Sequence, residues 1–298
     1  MFGLPSASPT RRALILGATV VALALGVGTS LARAQEFKNE AQPLFDNCGD
    51  PSYQKAVSDG ITIGISPSPP FTSINPDTQK AEGLEVELNE AALAWMGVTK
   101  IKYEIMPFGQ LISALLAKRI DAVAAIHITP DRLKVISFSG PAYWYGPALL
   151  VKKGNPDGIT SFDALKGKKI GAIAGSAADE YLRTVGADVV PFQTDAEEFS
   201  AVSTGRVSAI LEDDTKVVLF LKANPSAPME MVTGIAVPDE LIFKYGYGYV
   251  RVGLRKDDCS LRAAYTQGLS EVRANGNVSA ILKKYGFSNR NLFFFPLQ

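Results

Sequence analysis

The residue in this chain best placed to hold an anion is an arginine at a helix start. Thr129-Pro130-Asp131-Arg132 puts a threonine at the N-cap, a proline at the first helical position and an acid in the first turn. The apolar run just before it, Asp121 to Ile126, suits a strand buried on both faces. Arg132 therefore emerges at the end of a buried strand, where its planar fork can take a carboxylate through two hydrogen bonds. An ordinary surface arginine is the plainer reading. Gly175-Ser176-Ala177 is a second candidate, because a glycine-rich turn at a helix N-terminus offers N–H groups and a positive dipole end to an anion. It also reads as a simple strand-to-helix turn. The acidic pair Glu212-Asp213 can face a cation or merely be solvated. His127 is the single histidine, so any histidine-dependent catalysis must use it. No nucleophile–base–orienter set, no metal-ligand spacing such as H-E-x-x-H and no phosphate loop accompanies it. No catalytic residue, metal or cofactor is assigned.

The elements that must position these residues alternate. Ile61 to Ser66 reads as a strand, Pro67 to Phe71 as a proline-rich loop, Gly83 to Met96 as a helix and Ile101 to Met106 as a strand. Leu111, Ile112, Leu115 and Leu116 recur at helical spacing within Gln110 to Lys118. Beyond Tyr145, Ala148 to Lys152 is a strand and Ser161 to Leu165 a short helix. The strand Lys169 to Ala174 then runs through the glycine turn into the helix Asp179 to Thr184. Val189-Val190, a helix around Glu197 to Thr204, the strand Val207 to Leu211 and a helix capped by Asp214 follow. Strands and helices alternate twice over, so the fold class is α/β with two lobes built on mainly parallel sheets.

Five motifs in order resemble the extracytoplasmic solute-binding proteins of polar amino-acid ABC importers. This is family 3, of the type II periplasmic-binding-protein fold, and includes glutamine-, histidine- and ectoine-binding proteins. The motifs are F-G-Q-L-I at Phe108, D-A-V-A-A-I-H-I-T-P-D-R ending at Arg132, F-S-G-P-A-Y from Phe138, L-K-G-K-K-I-G from Leu165 and G-R-V-S-A from Gly205; a terminal helix spans Leu261 to Tyr285. The resemblance covers nearly the whole mature chain. It implies two crossings between lobes, near 142–147 and 244–249. Residues 51–142 with 250–298 would then form one lobe and 147–244 the other.

The resemblance also implies roles. Arg132 would hold a ligand α-carboxylate, with Gly175, Ser176 and Ala177 completing that pocket from the other lobe. Asp213, beside Glu212, would take the α-ammonium. Phe108 aligns with an aromatic that packs on the ligand, and His127, next to Ile126, falls at a contact position. Ser68 stands where glutamine- and histidine-type binders carry an aromatic lid, and Ile65 where several basic-amino-acid and glutamine binders carry an aspartate. That departure weakens arginine or lysine as ligand. Trp144 and Tyr145 offer an aromatic wall or stiffen a hinge. The expected function is a monomeric periplasmic receptor that closes on a zwitterionic solute and delivers it to an inner-membrane ABC permease. A receptor for ectoine-like compatible solutes is the alternative, with aromatic faces around a delocalised cation. A dehydratase on the same fold, using Glu85, Glu212 or His127 as acid or base, is the rival from another class.

The N-terminus points to export independently. Arg11-Arg12, the apolar run Ala13 to Leu31 and the exit Ala32-Arg33-Ala34 form a signal peptide over 1–34, followed by an N-terminal extension over 35–50. Thr10-Arg11-Arg12 also permits twin-arginine export, though the Sec route is the expected one. An uncleaved anchor is the rival, since the run nears the ~18 residues a spanning helix needs. Residues 1–34 carry three arginines and no acid, against 30 basic and 30 acidic residues in the whole chain. The mature balance is thus slightly negative, which gives no reason to expect nucleic acid or anionic membrane as a partner. Two cysteines, Cys48 and Cys259, exclude a disulfide-dense scaffold and allow one bridge in an oxidising compartment.

Overall fold

The computed structural model describes residues 48–292; the signal peptide expected over 1–34 and the extension up to residue 47 lie outside that range. Helix α1 (Ser52–Asp59) leads into β1 (Ile61–Ile65), the short β2 (Ser73–Ile74) and β3 (Ala81–Glu82), α2 (Leu84–Trp95) and β4 (Ile101–Ile105). A 3-10 turn, Phe108–Gln110, precedes α3 (Leu111–Leu116), β5 (Ala122–Ile126), α4 (Pro130–Val135), β6 (Ile136–Phe138) and β7 (Tyr143–Trp144). The next run is β8 (Pro147–Lys152), β9 (Lys169–Ile173), α5 (Ala177–Thr184), β10 (Asp188–Phe192), α6 (Asp195–Thr204), β11 (Ala209–Asp213), α7 (Asp214–Ala223), β12 (Met229–Met231) and α8 (Asp239–Phe243). The chain then returns through β13 (Tyr249–Arg255), α9 (Cys259–Ala274) and α10 (Asn277–Lys284).

One lobe holds a sheet in the order β4-β1-β5-β13-β6, with β7 also pairing β13; the other holds β10-β9-β11-β8-β12. The sheets are mixed rather than mainly parallel. Each has a parallel core (β4-β1-β5 and β10-β9-β11) extended by antiparallel strands. The antiparallel partners are the strands that flank the crossings, β8 and β13, which enter their sheets from the opposite end. Tyr143 and Trp144 pair with Val250 and Tyr249, three residues before β8 begins. At this junction Gly248 adopts φ +87°, and a Cβ there would meet the Tyr145 carbonyl oxygen at 1.9 Å, so only glycine fits.

Packing departs from the sequence pattern at three places. Strand β11 begins and ends two residues later than the apolar run Val207 to Leu211, because Glu212 and Asp213 stay in the ladder opposite Ala148 and Pro147. Helix α7 starts with no intervening loop, so Asp214 is its first residue and the cap position falls on Asp213. The terminal helix is broken in two, since Gly276 takes a left-handed φ of +87° between α9 and α10. Cys48 and Cys259 are joined, tying the start of the described chain to the first residue of α9. Among the described residues no helix is long and apolar enough to cross a membrane.

Candidate functional site

A cavity between the lobes gathers most of the residues singled out above. From the first lobe it is lined by Ser68, Phe108, Ile126 and His127, with Ile65 beside them; from the second by Ser176, Ala177, Glu212 and Asp213. Arg132 and Gly175 do not line it. They bond to each other instead.

Local chain chemistry explains how Arg132 is held. The Thr129 hydroxyl accepts from the Arg132 N–H at 3.2 Å, the cap expected from the sequence. This fixes the first turn of α4 and aims the guanidinium across the cleft. Nη1 donates to the His127 carbonyl at 2.7 Å and Nη2 to the Gly175 carbonyl of the other lobe at 2.8 Å. The Phe108 ring lies 5.4 Å from the guanidinium carbon. Burial pulls Arg132 down to about 10, which leaves it charged at neutral pH.

At two of the three residues of the glycine turn the backbone N–H is already taken. The Gly175 N–H donates to Asp179 at 2.9 Å and the Ser176 N–H to the Ile173 carbonyl at 3.0 Å. Ser176 caps α5 by accepting from the Asp179 N–H at 3.1 Å. The turn therefore presents the Gly175 carbonyl to Arg132, while Asp179 takes the Gly175 N–H and Ile173 the Ser176 N–H.

His127 is half-buried and neutral. Burial first, then Arg132, Arg251 and Lys216, push it down to about 3. Its Nε2 accepts the Gly248 N–H at 3.2 Å, so that nitrogen is not a free base. The ring packs against Tyr145 and Tyr247, with centroids 5.5 and 4.8 Å away.

Asp213 accepts from the Tyr247 hydroxyl at 3.0 Å. Burial, then the neighbouring Glu212, push its carboxyl well above the ordinary range. Glu212 accepts from Lys216 Nζ at 2.7 Å and from the Asp213 N–H at 3.1 Å. Lys216 also reaches Asp195 at 3.2 Å, and the other Asp195 oxygen takes the Ser68 hydroxyl from the opposite lobe at 2.8 Å. Ser68 is thus a bridging donor in place of an aromatic lid. Carboxylate oxygens of Asp195, Glu198 and Glu212 lie within 4.8 Å of one another, a spacing that could hold a metal ion. The Lys216 ammonium already contacts two of the three.

Sequence reasoning did not find Lys216, Asp195, Phe71 or Tyr247 as lining residues. The four-residue step from Glu212 to Lys216 was a legible signal. Tyr247 was legible only as part of a suspected hinge. Glu85, weighed as a catalytic acid or base, lines the cavity and takes the Tyr143 hydroxyl at 3.0 Å. Burial raises it from 4.5 to about 7. Tyr145 is a lining residue, whereas Trp144 is not among the lining groups.

Comparison with known proteins agrees with this architecture. The chain is 34% identical over 208 residues to the lysine/arginine/ornithine-binding periplasmic protein of Escherichia coli (strain K12), covering 68% of this chain and 78% of that protein. It is 30% identical over 236 residues to the histidine-binding periplasmic protein of the same strain, covering 77% and 88%. An ancestral arginine-binding protein bound to arginine superposes with a TM-score of 0.65 at 30% identity, over 76% of this chain and 97% of that one. Residues 61–289 match the family described as bacterial extracellular solute-binding proteins, family 3. With that span matched and a two-lobed α/β fold enclosing a polar cleft, the chain belongs to the bacterial extracellular solute-binding proteins, family 3.

Proposed function

We propose that this protein is the periplasmic receptor of an ABC importer and binds a zwitterionic amino acid or a close derivative. The observation that carries the reading is a guanidinium and a carboxyl group set on opposite lobes of the cleft, the carboxyl being one that a ligand ammonium would help to ionise. Arg132 stands at one lobe's strand end and Asp213, whose hydroxyl partner Tyr247 is neutral, at the other's. A guanidinium suits an α-carboxylate and a carboxylate suits an α-ammonium. The relatives named as binding amino acids support the same class. Two of the five Arg132 N–H groups are committed to carbonyls, so a ligand carboxylate would engage the remainder or displace Gly175.

Residues 142–147 and 244–249 would act as the hinge, and closure would complete contacts that neither lobe makes alone. The Sec-exported mature chain would work as a monomer and pass its cargo to an inner-membrane permease. A second reading, an ectoine-like ligand, draws on the rings of His127, Tyr145 and Tyr247 packed together at the cavity. Mass spectrometry of small molecules released on denaturing the purified protein, followed by calorimetry with each hit, tests the proposal. Failure of every amino acid, with tight binding of a non-zwitterion, would overturn it.

A further inference from the structure

We propose that Lys216 is a built-in counter-cation that makes this site reject ligands with cationic side chains, so that its solute is a zwitterion with a neutral side chain. The inference deepens the amino-acid reading and rests on it.

Lys216 belongs to the first turn of α7, which follows β11 without a loop, so its side chain folds back along the cavity wall. The side chain is only 8% exposed, and Nζ contacts Glu212 at 2.7 Å and Asp195 at 3.2 Å. Burial works against its charge, but Glu212, Asp195 and Asp213 outweigh burial and hold the ammonium charged. The ammonium also faces the Phe71 ring of the other lobe at 5.8 Å. The remaining oxygen of Asp195 is taken by Ser68. On this wall, then, the carboxylates that a ligand's second cation would seek already hold a cation supplied by the protein.

Behind them Glu198 is fully buried, and neither of its carboxyl oxygens has a hydrogen-bond partner. Burial, then Glu212, push its carboxyl well above the ordinary range, and no lysine or arginine nitrogen among the described residues forms an ion pair with it. Asp213 is left for the α-ammonium, its Tyr247 contact being a neutral hydroxyl. A second ligand ammonium would share the wall with Lys216 at close range in a poorly screened site, where like charges repel strongly. Glu85 is the one other lining carboxyl with no cation in contact, and the test must separate it.

The purified protein is titrated by calorimetry with matched pairs of equal length, arginine against citrulline and lysine against 6-hydroxynorleucine, together with a panel of neutral amino acids, at pH 6 and pH 8. Neutral ligands are expected to bind about tenfold or more tightly than cationic ones at both values. Lys216→Met, which keeps the unbranched stem and removes the charged tip, is expected to narrow or invert that gap. Lys216→Arg is expected to keep it. If Lys216→Met does not fold, the wild-type and Lys216→Arg arms decide.

Wild-type binding of arginine or lysine within threefold of the best neutral ligand overturns the inference, as does an unchanged gap in Lys216→Met. Arginine binding that appears at pH 8 and vanishes in Glu85→Gln also overturns it, by assigning the selection to Glu85. Binding of no zwitterion at all overturns the amino-acid reading itself, and the inference with it.

Discussion

The Arg132 guanidinium donates to the Gly175 carbonyl oxygen at 2.8 Å, joining the first turn of α4 in one lobe to the β9–α5 turn in the other. The same side chain holds the His127 carbonyl, one residue beyond β5. One arginine therefore clasps both sides of the cleft. Three of its five N–H groups are not used in these two contacts.

Arg132→Ala is expected to abolish binding while leaving the apo fold largely intact. A buried ion pair that loses one partner costs about 3–5 kcal/mol. Calorimetry on the variant measures the loss, and circular dichroism checks the fold. Binding within a few-fold of wild type would remove Arg132 from the site.

Asp213→Asn should weaken a free α-amino acid by roughly tenfold to a hundredfold, since a hydrogen bond to a charged group contributes about 1.5–3 kcal/mol. The loss should be much smaller for a cyclic delocalised cation such as ectoine. Parallel titrations of the two ligand types discriminate. Equal loss for both would make Asp213 a structural residue at the head of α7.

Ser68→Ala removes the 2.8 Å bond from one lobe to Asp195 in the other. About 0.5–1.5 kcal/mol of closed-state stability should go with it, a two- to tenfold weakening. Stopped-flow kinetics should place the change mainly in the dissociation rate, because a bond formed on closure holds the complex together after encounter. A pure association-rate effect contradicts a closure role.

Glu85 sets a pH dependence whose sign can be worked out. Its folded value, about 7, lies above its ordinary 4.5 because burial disfavours the charge. The folded state therefore keeps a proton that the unfolded state releases, and stability from this group falls as pH rises from about 4.5 to 7. His127, held near 3 against an ordinary 6.5, runs the other way over much of that window. The readout is thus the difference between wild type and Glu85→Gln in thermal melts from pH 5 to pH 8. Wild type should lose stability relative to the variant as pH rises, and parallel curves would show that Glu85 titrates normally.

Replacing Cys48 and Cys259 by serine opens a link between positions 211 residues apart. Such bridges typically contribute about 2–4 kcal/mol. Here the loss should fall at the lower end, because the Ser260 N–H also donates to Asp50 at 2.8 Å and Ser260 Oγ lies 2.9 Å from the other Asp50 oxygen. A melting point several degrees lower, with affinity unchanged, is the expected result.

Local chemistry carried much of this protein in its sequence. The Thr129–Pro130 helix start and the alternation of strand and helix follow from capping and periodicity, which are short-range properties, while the placement of Phe108, His127 and Ser176 beside one cavity was implied by the family resemblance of the motifs around them. Tertiary structure alone decided what those residues meet. Glu212 and Asp213 look solvated in isolation, and become buried because β11 stays paired with β8 to its last residue. The turn at Gly175 looks like an open anion seat, but Asp179 fills its donor from within and Arg132 takes its carbonyl from across the cleft. Lys216, Asp195 and Ser68 come from three separate elements, and no local pattern links them. Their meeting depends on how two sheets face each other. Charge pairing in a buried cleft is set by distance and dielectric, and both exist only once the lobes are packed.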